Sequence, residues 1–455
     1  LESRSSNFSR LVRQAGFILA GAFALMLNAF INRFPIVYSD TSTYLASGFE
    51  LETPVDRPIT YGLFLRIFSL NGFCLWLVVF VQALLVSALL FMLVRRLFGE
   101  KNYLIKGMML ILFLSVLTGL SWTVSQLMPD VFTGIAVFCI LLIVLGKTGR
   151  LCTALLYLLF LVSVCMHMEH VLLFAMLLIS ICVFRKYLFP TSLYPRFLQQ
   201  SALLFALTLL SILSMGSAMS KSKHVFFMGA MTEQGILKTF LDENCGTHHY
   251  RLCSYKDSLP KTCIEFVWSP NSPFYKLGGW EATRPEFNSI IYATLTQPKY
   301  IGLHMKASLK ASASQLLHFK IGDGNGKFLG DDPLYKRISH YVPGEALAYA
   351  HSGQNLSEHG FVDFSNLLFP ILVGVGFLFS LWIGVREKFI SGEMKGIAFV
   401  FLFVILLNIW DCATFSCVAD RFGCKLIWLI PCMALLFLFK LREEKAKEEI
   451  NELNG

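Results

Sequence analysis

Tyr38-Ser39-Asp40-Thr41-Ser42-Thr43-Tyr44 lies just past an apolar run from Gln14 to about Ile31. The run is long enough to cross a ~30 Å hydrocarbon core as a helix, so the polar heptad marks where the chain leaves a bilayer. Asp56-Arg57-Pro58-Ile59-Thr60-Tyr61-Gly62 follows, ahead of a second apolar helix. A carboxylate, a polar and aromatic stretch, an Asp-Arg-Pro turn and a returning helix read together as a site at a membrane face. The competing reading is local, with Ser39 or Asp40 capping a helix over 41–49.

Composition supports the bilayer. Of 455 residues 55% are hydrophobic and 15% charged, and mean hydropathy is +0.60. Soluble domains carry nearer a quarter charged residues. The apolar material falls into segments of roughly 15–22 residues, which suits membrane helices, whereas a barrel needs shorter alternating strands. Much of the net charge of +9 lies in short loops, where it sets topology and gives no reason to expect a nucleic-acid partner. Asn32-Arg33-Phe34-Pro35 is not a small-residue cleavage site, so the first helix is expected to be a retained signal anchor.

The fold expected is an all-α polytopic membrane protein of about ten transmembrane helices, several of them short. The spans fall near 14–34, 73–94, 107–120, 131–145, a pair within 151–184, 199–219, 364–385, 396–410 and 426–440. The pair meets at His167-Met168-Glu169-His170. Residues 1–220 form an N-terminal transmembrane module with the first-loop site, and 221–362 an extracytoplasmic, helical and loop-rich domain. Residues 363–440 form a C-terminal transmembrane module, and 441–455 a charged tail. Arg95/Arg96, Lys147/Arg150, Arg185/Lys186, Arg386/Lys388/Lys395 and the tail fall on one side, which the positive-inside rule makes cytoplasmic. Cys245, Cys253 and Cys263 in the long domain, and Cys412, Cys417 and Cys424 near the last outer loop, leave an odd thiol in each group unless the groups cross-pair.

Five constellations fall on the outer face. Asp40 and Tyr44, at i and i+4, share a helical face. Asp56-Arg57-Pro58 is a surface turn or a phosphate-facing arginine. Pro129-Asp130 opens a helix whose dipole favours the carboxylate, yet a carboxylate at that depth is costly enough to mark a functional cavity. His167, Glu169 and His170 carry metal-ligand side chains without the His-Glu-x-x-His spacing of a zinc helix. Asp420-Arg421 precedes the last helix, where arginine suits bidentate phosphate binding or interfacial anchoring.

At these residues the chain resembles the GT-C glycosyltransferases, the polytopic superfamily that includes protein O-mannosyltransferases, aminoarabinose transferases and oligosaccharyltransferases. Ser39-Asp40-Thr41-Ser42-Thr43-Tyr44 and Arg57-Pro58-Ile59-Thr60-Tyr61-Gly62 carry the likeness in the first outer loop. Leu127-Met128-Pro129-Asp130 carries it in the second, and Asp420-Arg421-Phe422 before the last helix. Asp-x-Asp, Glu-x-Asp and Trp-Trp-Asp signatures are absent, which argues against an oligosaccharyltransferase.

The short chain and loose motifs point to a bacterial inner membrane ahead of an endoplasmic reticulum membrane. The termini are expected to be cytoplasmic by the charge pattern and the long domain periplasmic or lumenal, and the resemblance implies an enzyme. It would move a sugar from a polyprenyl-phosphate donor to a glycan, lipid or protein acceptor, with inversion. Asp40 would be the general base. Tyr44, Asp56, Arg57, Tyr61, Asp130, His167, Glu169, His170 and Arg421 would bind substrate. No cofactor is firmly implied, and a divalent metal is left open. An O-antigen-type polymerase or ligase would instead depend on long-loop arginines such as Arg251, Arg284 or Arg337. A transporter or flippase is expected to show repeated halves, which the sequence lacks.

Overall fold

The computed structural model describes residues 2–190, 194–215, 218–358, 360–386 and 391–454; Lys388, among the expected loop cations, lies outside them. Among the described residues the secondary structure is helical throughout, apart from one isolated parallel bridge between Ile36 and Gln126.

The first expected span is two helices, α1 (Glu2–Leu25) and α2 (Leu27–Asn32), broken at Met26. A helix start leaves amides without intrahelical partners, which is expensive away from water. Here Ser121 Oγ accepts from Asn28 N at 3.1 Å and Ser125 Oγ from Ala29 N at 3.0 Å. The first loop holds α3 (Thr41–Glu50) and α4 (Thr60–Phe68), and α5 (Trp76–Phe98) returns through the apolar layer. Next come α6 (Tyr103–Leu117), α7 (Leu120–Ser125) and α8 (Val131–Leu145). Every residue of α8 is buried, so this uniformly apolar helix is the axis of the bundle. The stretch expected to break at 167–170 does so, giving α9 (Arg150–Cys165) and α10 (Glu169–Leu188). Then α11 (Tyr194–Leu210) leads to α12 (Ala218–Glu233).

Among the described residues, seven helical segments are long and apolar enough to cross a membrane, and α6, α8 and α9 are shorter apolar helices. The seven lie in α1, α5, α10, the α11 region, α22 (Gly360–Arg386), α23 (Gly392–Phe415) and the stretch formed by α24 (Asp420–Ile427) with α25 (Leu429–Asn454). The chain is a polytopic helical membrane protein.

One end of the bundle is closed by ions and helix ends. Arg96 binds Glu393 at 2.7 Å and donates to the Leu145 carbonyl at 2.9 Å, and Lys106 pairs with Glu443. The opposite end carries the first loop, the 121–130 segment, the 167–170 tetrad and the start of α24.

Between α12 and α22 the chain divides its core in two. α13 (Ile236–Asn244), α14 (Cys263–Trp268), α15 (Pro273–Lys276), α16 (Gly279–Ala282), α17 (Arg284–Thr296) and α18 (Pro298–Gln315) pack with α12 around Phe240, Phe266, Phe274, Phe287 and Tyr300. A Cys245–Cys253 disulfide closes a loop of this unit. α19 (Pro333–Tyr341) and α20 (Ala346–Ala350) differ, because their Leu334, Ile338 and Tyr349 join the core of the membrane bundle, and α21 (Gly353–Leu356) follows them.

Candidate functional site

Two glycines bring the first loop together. A Cβ on Gly48 would lie 2.1 Å from the Gly62 carbonyl oxygen, and one on Gly62 would lie 2.3 Å from Ser47 Oγ, so α3 and α4 cross in backbone contact. Such contact lets packing substitute for a hydrophobic driving force that lipid does not supply. The crossing buries Tyr44 edge-on against Tyr61, ring centres 5.0 Å apart. Tyr61 donates its hydroxyl to Gln82 at 2.7 Å, and the Gln82 amide donates to the Val124 and Gln126 carbonyls. Ile36 bonds Ser125 and Leu127 through its backbone, and Thr41 donates to the Leu127 carbonyl. These bonds hold the first outer loop against the Pro129-Asp130 segment.

Asp40 occupies the N-cap position of α3 but makes no side-chain cap hydrogen bond. Its carboxylate turns to two arginines instead, accepting from Arg57 Nη2 at 3.2 Å and from Arg421 Nη1 at 3.1 Å. Burial pushes the Asp40 carboxyl up, but Arg57 and Arg421 pull it down further, to about 2. Arg57 is also held by Asp56 at 2.5 Å and lies over the Tyr44 ring at 5.0 Å. Arg421 stacks on Tyr38 at 4.7 Å, its Nε lies 3.9 Å from Asp130, and its backbone amide donates to Asp323 at 3.0 Å. Burial pushes the Tyr38 phenol up to about 12 against the pull of Arg421.

Two buried atoms at this centre have no hydrogen-bond partner, Arg57 Nη1 and Asp130 Oδ2. An unmade hydrogen bond of this kind costs about 1–3 kcal/mol, more for charged groups, which makes both atoms receptive to a ligand. One can give to an anion and the other can accept from a hydroxyl or amine. Beside Asp130 a small cleft, partly open to solvent, is lined by Trp122, Gln126, Asp130, Lys320, Arg421 and Lys425.

The 167–170 tetrad joins this cleft through Lys425, one turn along α24 from Arg421. Glu169 pairs with the buried Lys425 and accepts from the Cys412 thiol at 3.4 Å. His167 lies 3.8 Å from Glu169, and burial lowers its pKa despite that carboxylate. His170 spends both ring nitrogens on the protein, on Thr133 at 2.9 Å and the Ser163 carbonyl at 2.8 Å. It ties α8, α9 and α10 together.

The expected site residues therefore form two linked groups. Asp40, Tyr44, Asp56, Arg57, Tyr61, Asp130 and Arg421 converge in one, and His167 and Glu169 meet Lys425 in the other. Sequence reading passed over Tyr38, Trp122, Gln126, Lys320, Asp323 and Lys425. Tyr38 belongs to the opening heptad, and Asp323 to a glycine-rich turn, Ile321-Gly322-Asp323-Gly324-Asn325-Gly326. Their approach across the fold had no local signal. Among the described residues no three His, Cys, Asp or Glu side chains are grouped as metal ligands would be. No family model, curated protein or solved structure matches the chain.

Proposed function

We propose that the protein is a GT-C-type glycosyltransferase of a bacterial inner membrane, with about ten spans when the short apolar helices are counted, cytoplasmic termini and a periplasmic domain. It transfers a sugar, with inversion, from a polyprenyl-phosphate donor to a glycan, lipid or protein acceptor. The observation that carries this reading is the shared pair of arginines on Asp40, with Arg57 Nη1 and Asp130 Oδ2 beside it lacking partners. That arrangement offers an anion site and a hydroxyl site on either side of a base.

The chemistry follows from charge. The acceptor oxygen or nitrogen attacks C1 of the donor sugar, the C1–O bond to phosphate breaks, and Asp40 receives the acceptor proton. Charge developing on the phosphate is met by Arg57 and Arg421, whose largely buried setting makes their fixed charges act strongly. Resting Asp40, held near 2, is too weak a base at neutral pH. When a donor phosphate draws the arginines to itself, burial acts on Asp40 with less opposition, and its pKa rises toward a useful value. Donor binding thus readies the base, and acceptor deprotonation waits for the donor. Asp130 orients the acceptor or a sugar hydroxyl, and Tyr44 and Tyr61 shape the wall.

The test is sugar transfer by protein reconstituted in liposomes with a polyprenyl-phosphate sugar. Asp40→Asn is expected to lower kcat by about 10²–10⁴-fold, with donor binding kept. Full transfer by correctly inserted Asp40→Asn protein would exclude the base.

One observation favours a second reading, a polymerase or ligase of lipid-linked glycans. Arg337 on α19 reaches the first loop and donates to Ser42 Oγ at 3.0 Å. The other long-loop arginines are used within the outer unit, Arg251 on the Ala282 carbonyl at 2.6 Å and Arg284 beside Glu281 at 3.9 Å. Loss of activity in Arg337→Ala, with Asp40→Asn active, selects that reading.

A further inference from the structure

Six cysteines lie in the outer unit and around the last outer loop, and the structure sorts them. Cys245 and Cys253 are bonded to each other. Cys412 donates to Glu169, and Cys424 is buried against Thr123. The remaining two, Cys263 and Cys417, meet across the boundary between the outer unit and the membrane bundle. Cys263 opens α14, where its backbone amide donates to Glu233 at 2.8 Å, and its side chain is buried in the outer unit's apolar core. Cys417 lies just past α23 and packs against that same core. Cys417 is thus seated on the core that holds Cys263, and each thiol is the largest influence on the other's titration.

The surrounding segment is already fastened to the outer unit by weaker bonds. Ser308 meets Thr414 at 2.7 Å, Gln234 donates to the Ala413 carbonyl at 3.3 Å, and Phe227 packs on Phe415. Gln315 holds both the amide and the carbonyl of Ala419. One residue later α24 begins, and it carries Arg421 and Lys425 into the cleft.

We propose that Cys263 and Cys417 form a second disulfide, a covalent clip that fastens the segment leading into α24 to the outer unit. The pair shares its unit with the Cys245–Cys253 bond, and disulfides persist in oxidising compartments. The step needs an oxidant of the disulfide class. The Cys417 thiolate attacks a sulfur of the oxidant's disulfide and expels one oxidant thiolate. The Cys263 thiolate then attacks Cys417 Sγ in the mixed disulfide and expels the second. Two protein thiols lose two protons and two electrons, and the oxidant's disulfide becomes two thiols. Cys417 is suited to the first attack, since it is the less buried partner and the neighbouring Cys263 holds its thiol below the ordinary value.

The experiment is peptide mapping of full-length protein, extracted from membranes with N-ethylmaleimide present and digested without reduction. A linked peptide containing Cys263 and Cys417 is expected, beside the Cys245–Cys253 link. In Cys263→Ser the alkyl group is expected on Cys417 with Cys245–Cys253 unchanged. Alkylation of both Cys263 and Cys417 in the wild-type protein overturns the proposal, whether or not Cys245–Cys253 is intact. So does a link from either to a different cysteine. The clip closes a far longer loop than the eight-residue separation of Cys245–Cys253. Its loss in Cys263→Ser/Cys417→Ser is therefore expected to lower the unfolding temperature more than Cys245→Ser/Cys253→Ser does.

Discussion

Asp40 shows how a residue's place in sequence and its job diverge. It stands where a cap stands, yet its carboxylate is held by guanidinium groups that arrive from Arg57 in the first loop and Arg421 near the last helix. Folding lowers its pKa from 3.8 to about 2, so the unfolded chain holds the proton more tightly. The stabilisation is therefore complete above about pH 4 and is lost as pH falls through about 2, amounting to about 2 kcal/mol. Thermal unfolding in detergent should show wild-type stability falling more steeply than that of Asp40→Asn between pH 4 and pH 2. Equal slopes would mean that the arginines do not hold Asp40 in solution. Above pH 5 Asp40→Asn should itself be destabilised, because it leaves two buried cations short of a partner.

At the scale of elements the site depends on close approaches that only glycine permits. The turn carrying Asp323 runs so near Tyr38 that a Cβ on Gly324, at φ +69°, would lie 1.5 Å from the ring. Gly330 has a similar φ of +64° and open space around it. Gly330→Ala should therefore cost only the left-handed backbone penalty, about 1–2 kcal/mol. Gly324→Ala should cost that plus displacement of Tyr38, and with it the stacking partner of Arg421. Matched unfolding temperatures of the two variants, with transfer activity as a second readout, check this; equal losses would show that Tyr38 yields without consequence. Gln354 on α21 does related work from the other side, donating to the Val37 and Gly326 carbonyls at 2.8 and 3.1 Å. It joins the loop before Tyr38 to the turn after Asp323.

For the whole molecule, the two ends of the bundle differ in what they gather. One end collects Arg96, Lys106, Glu393 and Glu443, and the other collects the site under the outer unit. Topology reporters test the orientation. A periplasm-dependent reporter inserted at Gly330 should be active, and the same reporter at Gly149 or after residue 454 should be silent. Activity at Gly149 with silence at Gly330 would invert the molecule and remove the site from the face where a lipid-linked sugar is proposed to arrive.

Much of this was legible in the sequence because hydrophobic length and loop charge are local. The helical membrane class, the break at 167–170 and the grouping of Asp40, Arg57, Asp130 and Arg421 on one face follow from segment lengths and alternating sides. The break of the first span at Met26 was not legible, since it depends on Ser121 and Ser125 accepting freed amides from a distant segment. The pairing of Glu169 with Lys425 and the capture of both His170 nitrogens by neighbouring helices were hidden for the same reason. Residue types and sidedness are properties of the chain as written. Which carboxylate meets which cation is decided only when helices far apart in sequence pack and a buried charge must find its partner.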